Sequence, residues 1–228
     1  MERLLIARRL AHVPAAISMR VLTHFVLWNL KVAKAQTPYT SAECACLERH
    51  AAGKGRLVEI GCWHGVNTSR LRRVMAPDGV LFGVDPYLPG RLGFSAQRII
   101  ARREVNKVAN GSMRWTRVTD IEAARRFVAA GEKPVDFVFS DSVNTFGGFG
   151  KTWEAWSALI VSGGIYILAN SRSSATRRLD DAGSARYTRE VILRDDRFRL
   201  VETVDTFTVL ERRQGHSNLQ CRLPQRNR

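Results

Sequence analysis

The chain is 228 residues long, enough for one α/β domain with extensions and a sizeable core. Its 45% hydrophobic and 25% charged residues are those of an ordinary soluble globular protein, while a net charge of +15 favours an anionic partner: nucleic acid, a phosphorylated sugar or a membrane surface. Yet 30 of the 36 basic residues are Arg, a skew that a GC-rich genome also produces, and they are scattered rather than gathered on a nucleic-acid-binding module. Cys44, Cys46, Cys62 and Cys221 have no zinc spacing and read as free thiols in a reducing, cytoplasmic compartment.

Residues 1–35 carry one acid, Glu2, against six basic residues, and the apolar run from Val21 to Leu30 is too short to span a bilayer. The segment reads as a basic amphipathic helical extension that covers the domain or its ligand cleft, or forms a contact in a homo-oligomer. Peripheral attachment to an anionic membrane is the competing reading. Thr40-Ser41-Ala42-Glu43 is a capping box that starts a helix running through Leu47 and ending by Gly53. Leu57-Val58-Glu59-Ile60 is a strand buried on both faces. Gly61 and Gly65 bracket a tight turn, and Leu71 and Val74 recur at helical spacing after it, with Asn67 or Thr68 as the helix cap.

Pro77-Asp78-Gly79 is a turn, Val80–Asp85 a second strand, and Ser95 caps a helix ending before Asn110-Gly111. Met113–Val118 is a third strand, Asp120 caps a helix closed by Gly131, and Val135–Phe139 is a fourth strand ending in Ser140-Asp141. Phe146–Gly150 reads as a glycine-rich loop, a candidate lid, before a helix from Lys151 to Ile160. Gly163-Gly164 turns into a fifth strand, Ile165–Ala169; a helix near Ala185–Leu193 follows. Phe198–Thr203 and Phe207–Arg212, joined by three residues, form an antiparallel hairpin. Residues 36–213 thus make one domain, and 214–228 a polar basic tail.

Strands alternating with helices predict a doubly wound, mostly parallel seven-stranded sheet with a C-terminal antiparallel hairpin. Ligands bind such sheets beyond the C-terminal strand ends. The turn lacks the third glycine of the dinucleotide fingerprint, which disfavours an NAD-dependent dehydrogenase. Asp85 ends the second strand 24 residues after Gly61, where a carboxylate accepts two hydrogen bonds from a ribose diol. Tyr87 follows as apolar wall for a base, Asp120 approaches an adenine amine, and Glu59 is a buried acid in want of a partner.

Glu59-x-Gly61-x-x-x-Gly65 resembles the first motif of class I S-adenosylmethionine (SAM) methyltransferases, and the resemblance extends from about Gln36 to Arg212. VDFVFSD, residues 135–141, and KTWEAWSALIVSGGIYILAN, residues 151–170, look like the second half of small O-methyltransferases, whose relatives include catechol-type metal-dependent and sugar-modifying enzymes. The resemblance implies a Rossmann-like fold. By the resemblance Glu59, Gly61, Gly65, Asp85 and Asp141 lie around SAM or the transferred methyl, and a methyl passes to a hydroxyl of a small molecule or sugar. Cys62, Thr68, Tyr87 and Asp120, placed by their positions in the chain, complete the expected cofactor site.

Two features depart from that pattern. Metal-dependent relatives carry an acid-plus-amide pair after the fifth strand, where this chain has Asn170-Ser171, so Mg²⁺ is disfavoured. Relatives also place a Lys or His past the first acid, where Ser142-Val143-Asn144 stands here, leaving Asp141 or His64 as the base. The alternatives are an RNA methyltransferase, prompted by the charge, and a SAM-binding pseudoenzyme or scaffold, prompted by the missing groups.

Overall fold

The computed structural model describes residues 15–90 and 92–215. The start of the 1–35 extension and nearly all of the basic tail lie outside the described residues. In chain order the elements are α1 (Ala15–Asn29), α2 (Ser41–Ala51), β1 (Arg56–Ile60), α3 (Val66–Val74), β2 (Val80–Val84), α4 (Ala96–Val105), β3 (Ser112–Thr116) and α5 (Asp120–Ala129). Then come β4 (Val135–Ser140), α6 (Phe146–Ser157), β5 (Ile160–Leu168), α7 (Gly183–Glu190), β6 (Phe198–Val204) and β7 (Phe207–Arg212). The sheet order is β3-β2-β1-β4-β5-β7-β6; β7 alone runs antiparallel to its neighbours. The strand order reverses between β1 and β4, which makes the crevice beyond their C-terminal ends the ligand position of this architecture.

Alternation along β1 sends Val58 and Ile60 into one core layer with Phe127, Trp153, Trp156 and Tyr166. Leu57 goes to the other layer, with Leu47, Leu71, Phe137, Phe139 and Phe207. Glu59 shares the face of Leu57 and is fully buried. No described helix is long and apolar enough to cross a membrane.

The capping box at α2 forms as expected: Thr40 Oγ1 accepts from Glu43 N at 3.1 Å, and Thr40 N donates to Glu43 Oε2 at 2.9 Å. The other oxygen of Glu43 accepts from Thr206 N at 2.9 Å and Thr206 Oγ1 at 2.5 Å, so one buried carboxylate ties α2 to the β6–β7 turn. Truncating it orphans buried donors on both sides. Glu43→Ala is expected to destabilise the fold by about 3 kcal/mol, read by urea denaturation. A value near that of an exposed Glu would show the tie to be slack.

Several local expectations are corrected. Asp120 is the first residue of α5, and the cap is Thr119, whose hydroxyl accepts from Glu122 N. α3 is capped by Gly65 without a side-chain bond, so Asn67 and Thr68 lie inside the helix. Phe146–Gly150 is not a lid loop but the first turns of α6, capped by Thr145 through Gly148 N. Two of its glycines serve close packing: a Cβ on Gly148 would strike Val143, and one on Gly150 would sit 2.5 Å from the Tyr187 ring. β5 begins at Ile160, so Gly163-Gly164 lies within that strand, at a register shift against β4, and α6 stops at Ser157.

The described part of the N-terminal extension is a helix on α4. Trp28 Nε1 donates to Glu104 at 3.1 Å, Arg103 donates to Asn29 at 3.0 Å, and Phe25 meets Phe94 at 5.9 Å between ring centres.

Candidate functional site

The β1–α3 bend is shaped by what crowds it. Gly61 has φ +86°, and a Cβ there would run into the Asp141 carbonyl; Gly65 has φ +73°, and a Cβ would lie 2.8 Å from Ala101 of α4. Between them Trp63 also adopts a positive φ, 44°, as does Tyr87, 41°, on the facing β2 loop. Left-handed non-glycine residues carry strain that surrounding contacts must hold. Asp85 holds both. Its Oδ2 accepts from Cys62 N and Trp63 N, each at 3.0 Å, and its Oδ1 from Tyr87 N at 2.8 Å. A carboxylate has about four acceptor positions, so one remains for a ligand rather than the two a diol would use. Burial raises its pKa, against those three amides.

Beneath the bend the Glu59 carboxyl and the Thr68 hydroxyl are buried near each other, without an aligned hydrogen bond to either among the described residues. Burial pushes the Glu59 carboxyl up to about 8, while the Thr68 and Cys62 side chains pull it down. Across the crevice Asp141 follows β4. Its Oδ1 accepts from Asn170 Nδ2 at 3.0 Å, and its pKa is raised by burial and lowered by the Tyr39 hydroxyl and the charge of Arg177. Tyr39 stands near the carboxylate without closing an aligned hydrogen bond, and Asn170 Oδ1 and Ser142 Oγ also lack partners. Asn170 has φ 51°, a strained tip at the end of β5. Beyond it a cavity of about 430 Å³ opens between the loop after β5, α7 and the hairpin, lined in part by Ser171, Arg172, Asp180, Thr188 and Arg189.

The other candidates scatter. Cys62 and Tyr87 are buried in a small cluster with Ala101, against Trp115. Both oxygens of Asp120 are engaged, by Ile121 N at 2.9 Å and by the Thr152 hydroxyl, which anchors α5 to α6. His64 is buried, stacked between Trp63 at 4.2 Å and His24 of α1 at 4.9 Å, with Nδ1 accepting from Gln36 N at 3.3 Å. Burial and His24 lower its pKa to about 4. A buried, weakly basic ring whose Nδ1 lone pair is taken leaves Asp141 the better placed of the two candidate bases. Asp141 has an amide rather than a second carboxylate beside it, a poor donor set for Mg²⁺. Tyr39 and Arg177 were missed in the sequence, because nothing local ties either to Asp141.

Strand order, the lone antiparallel strand and the glycine bend at the switch point define the Rossmann-like fold of the class I SAM-dependent methyltransferases. Among solved structures, a Corynebacterium glutamicum protein from structural genomics superposes with a TM-score of 0.63 at 16% identity, covering 95% of this chain and 98% of its own. The O-methyltransferase TomG from Streptomyces achromogenes, in complex with SAM, gives 0.57 at 17%, covering 86% and 89%. An O-methyltransferase from Bacillus cereus, in complex with S-adenosylhomocysteine (SAH), gives 0.58 at 17%, covering 89% and 94%. The matches extend to rRNA methylases. No protein-family model matches the sequence, nor does any curated protein. At these identities the likeness is one of fold.

Proposed function

We propose that this chain is a SAM-dependent methyltransferase that methylates a hydroxyl of a small molecule or sugar. The observation that carries the reading is the set of buried polar groups beside the glycine bend that close no aligned hydrogen bond: the Glu59 carboxyl with the nearby Thr68 hydroxyl and, across the crevice, Asn170 Oδ1. Buried polar groups are ordinarily paired, and a zwitterionic amino-acid moiety offers them a cation and acceptors. Glu59 and Thr68 would hold the methionine end, Gly61 and Gly65 would let it approach the backbone, and the free acceptor position of Asp85 would meet the ribose. When bound, SAM would supply an electrophilic methyl that passes to the acceptor oxygen as the sulfur leaves in SAH. Asp141, raised by burial, takes the hydroxyl proton, with Asn170 fixing its orientation. The cavity beyond Asn170 pairs hydroxyl and charged groups (Ser171, Arg172, Thr188) with an apolar wall of Ala185, Leu193 and Leu200, which suits an acceptor that carries hydroxyls on an apolar frame.

Calorimetric titration with SAM, SAH and NAD, followed by a methyl-transfer screen over hydroxylated acceptors, tests this. SAM and SAH should bind and NAD should not; absence of SAM binding would sink the reading. Asp141→Asn is expected to lower turnover about a hundredfold or more while moving SAM affinity by less than about tenfold. Equal turnover in the variant would remove Asp141 as the base. SAM binding with no transfer to any acceptor would instead mark a pseudoenzyme. The net charge of +15 favours a second reading, methylation of RNA, which predicts RNA binding that weakens steeply with salt.

A further inference from the structure

Helix α2 places Cys46 and His50 one turn apart on a single face, and that face lies against Glu202 of β6. His50 Nε2 is 2.5 Å from Glu202 Oε1 and Cys46 Sγ is 3.9 Å from the same oxygen. One donor atom from each of the three lies within 4.8 Å of the others, the one such cluster of His, Cys, Asp or Glu among the described residues. We propose that Cys46, His50 and Glu202 form a binding site for a thiophilic divalent ion, zinc by its donor set, at the seam between α2 and the edge strand of the sheet.

The chemistry fits in kind and in size. Thiolate, imidazole and carboxylate are all zinc donors, and bond lengths of about 2.0–2.3 Å in a tetrahedron set its ligands about 3.3–3.8 Å apart. The observed separations bracket that range, so a shift of about an ångström closes the site. The sulfur is fully buried, the imidazole side chain is 15% exposed and the carboxylate 31%, which leaves the outer position to water. Without an ion, burial and the charge of Glu202 push the Cys46 thiol up to about 12; a dication reverses that balance, the thiol proton leaving to solvent. Arg49 is the competitor, since its guanidinium sits 2.6 Å from Glu202 Oε1. Its side chain is 56% exposed and can turn outward as the ion enters.

The site stands apart from the crevice, because β6 is three strands removed from β4 (β4-β5-β7-β6). Its effect is to clamp α2 to the hairpin, reinforcing the Glu43–Thr206 tie. It does not depend on the methyltransferase reading.

The test uses the full chain, stripped with a chelator and titrated with Co²⁺. One equivalent should produce a thiolate-to-cobalt band in the near ultraviolet, and Zn²⁺ should abolish that band and raise the melting temperature. Cys46→Ser and His50→Ala should each weaken Co²⁺ binding about a hundredfold or more, and Arg49→Ala should tighten it severalfold, with SAM affinity unchanged. Should Cys46→Ser not fold, His50→Ala and Glu202→Gln, at less buried positions, carry the decision. No thiolate band in the wild-type chain, or a band that survives loss of His50 and Glu202, overturns the proposal.

Discussion

Glu59→Gln is expected to raise the melting temperature at pH 8 by on the order of 10 °C and, at the same time, to weaken SAM binding. The Glu59 carboxyl is fully buried without an aligned hydrogen bond, and burial lifts it from the ordinary 4.5 to about 8. The charges of Asp85 and Asp141 add to the rise. Between those two values the native state keeps a proton that the unfolded chain has released. Native stability therefore falls as pH rises through that window, by about 1.4 kcal/mol per unit, and levels above pH 8. Glutamine has nothing to ionise, so the variant's stability should be flat across the window, and its advantage should reach a few kcal/mol at the upper end.

The ligand reverses the ranking. A cationic amino group beside Glu59 favours the carboxylate, so SAM binding near pH 7 should release up to about one proton, measurable by calorimetry in buffers of different ionisation enthalpy. Wild type and variant with the same pH–stability profile would remove the buried-acid argument. Unchanged SAM affinity would remove Glu59 from the cofactor site.

Asp85→Ala should raise the SAM dissociation constant at least about tenfold, an effect of two kinds, since charge-assisted bonds are the strong ones. The variant loses the acceptor proposed for the ribose. It also releases Cys62 N, Trp63 N and Tyr87 N, the three amides that hold the bend and the β2 loop in left-handed geometry. A SAH analogue lacking the ribose hydroxyls separates them. If the wild type binds the analogue as weakly as the variant binds SAH, the ribose contact dominates. If the variant also loses affinity for the analogue, the bend does. Unchanged SAM affinity would reject Asp85 at either task.

These cases show how far local rules reach. Capping of α2 by Thr40 and Glu43 was legible, because a capping box satisfies its own backbone groups within four residues. The bend at Gly61–Gly65 was legible too, since two glycines straight after a strand mark a tight turn at little steric cost. The same rule misled at Gly147–Gly150. There the glycines are helical, and two that a Cβ would crowd, Gly148 and Gly150, face Val143 and the Tyr187 ring, which no local pattern announces. Asp85 was placed correctly at the strand tip, but its three amide partners follow from how two loops meet.

The sequence by itself determined the strand–helix alternation, the hairpin at its end and the switch point at the glycine bend, because periodicity, caps and turn residues act over a few positions. Tertiary structure alone decided that His64 is sealed in an aromatic stack with α1, that Tyr39 and Arg177 stand by Asp141, and that Glu202 meets Cys46 and His50 from more than 150 residues away. Those contacts lie between elements, and only the burial of the two core layers brings them together.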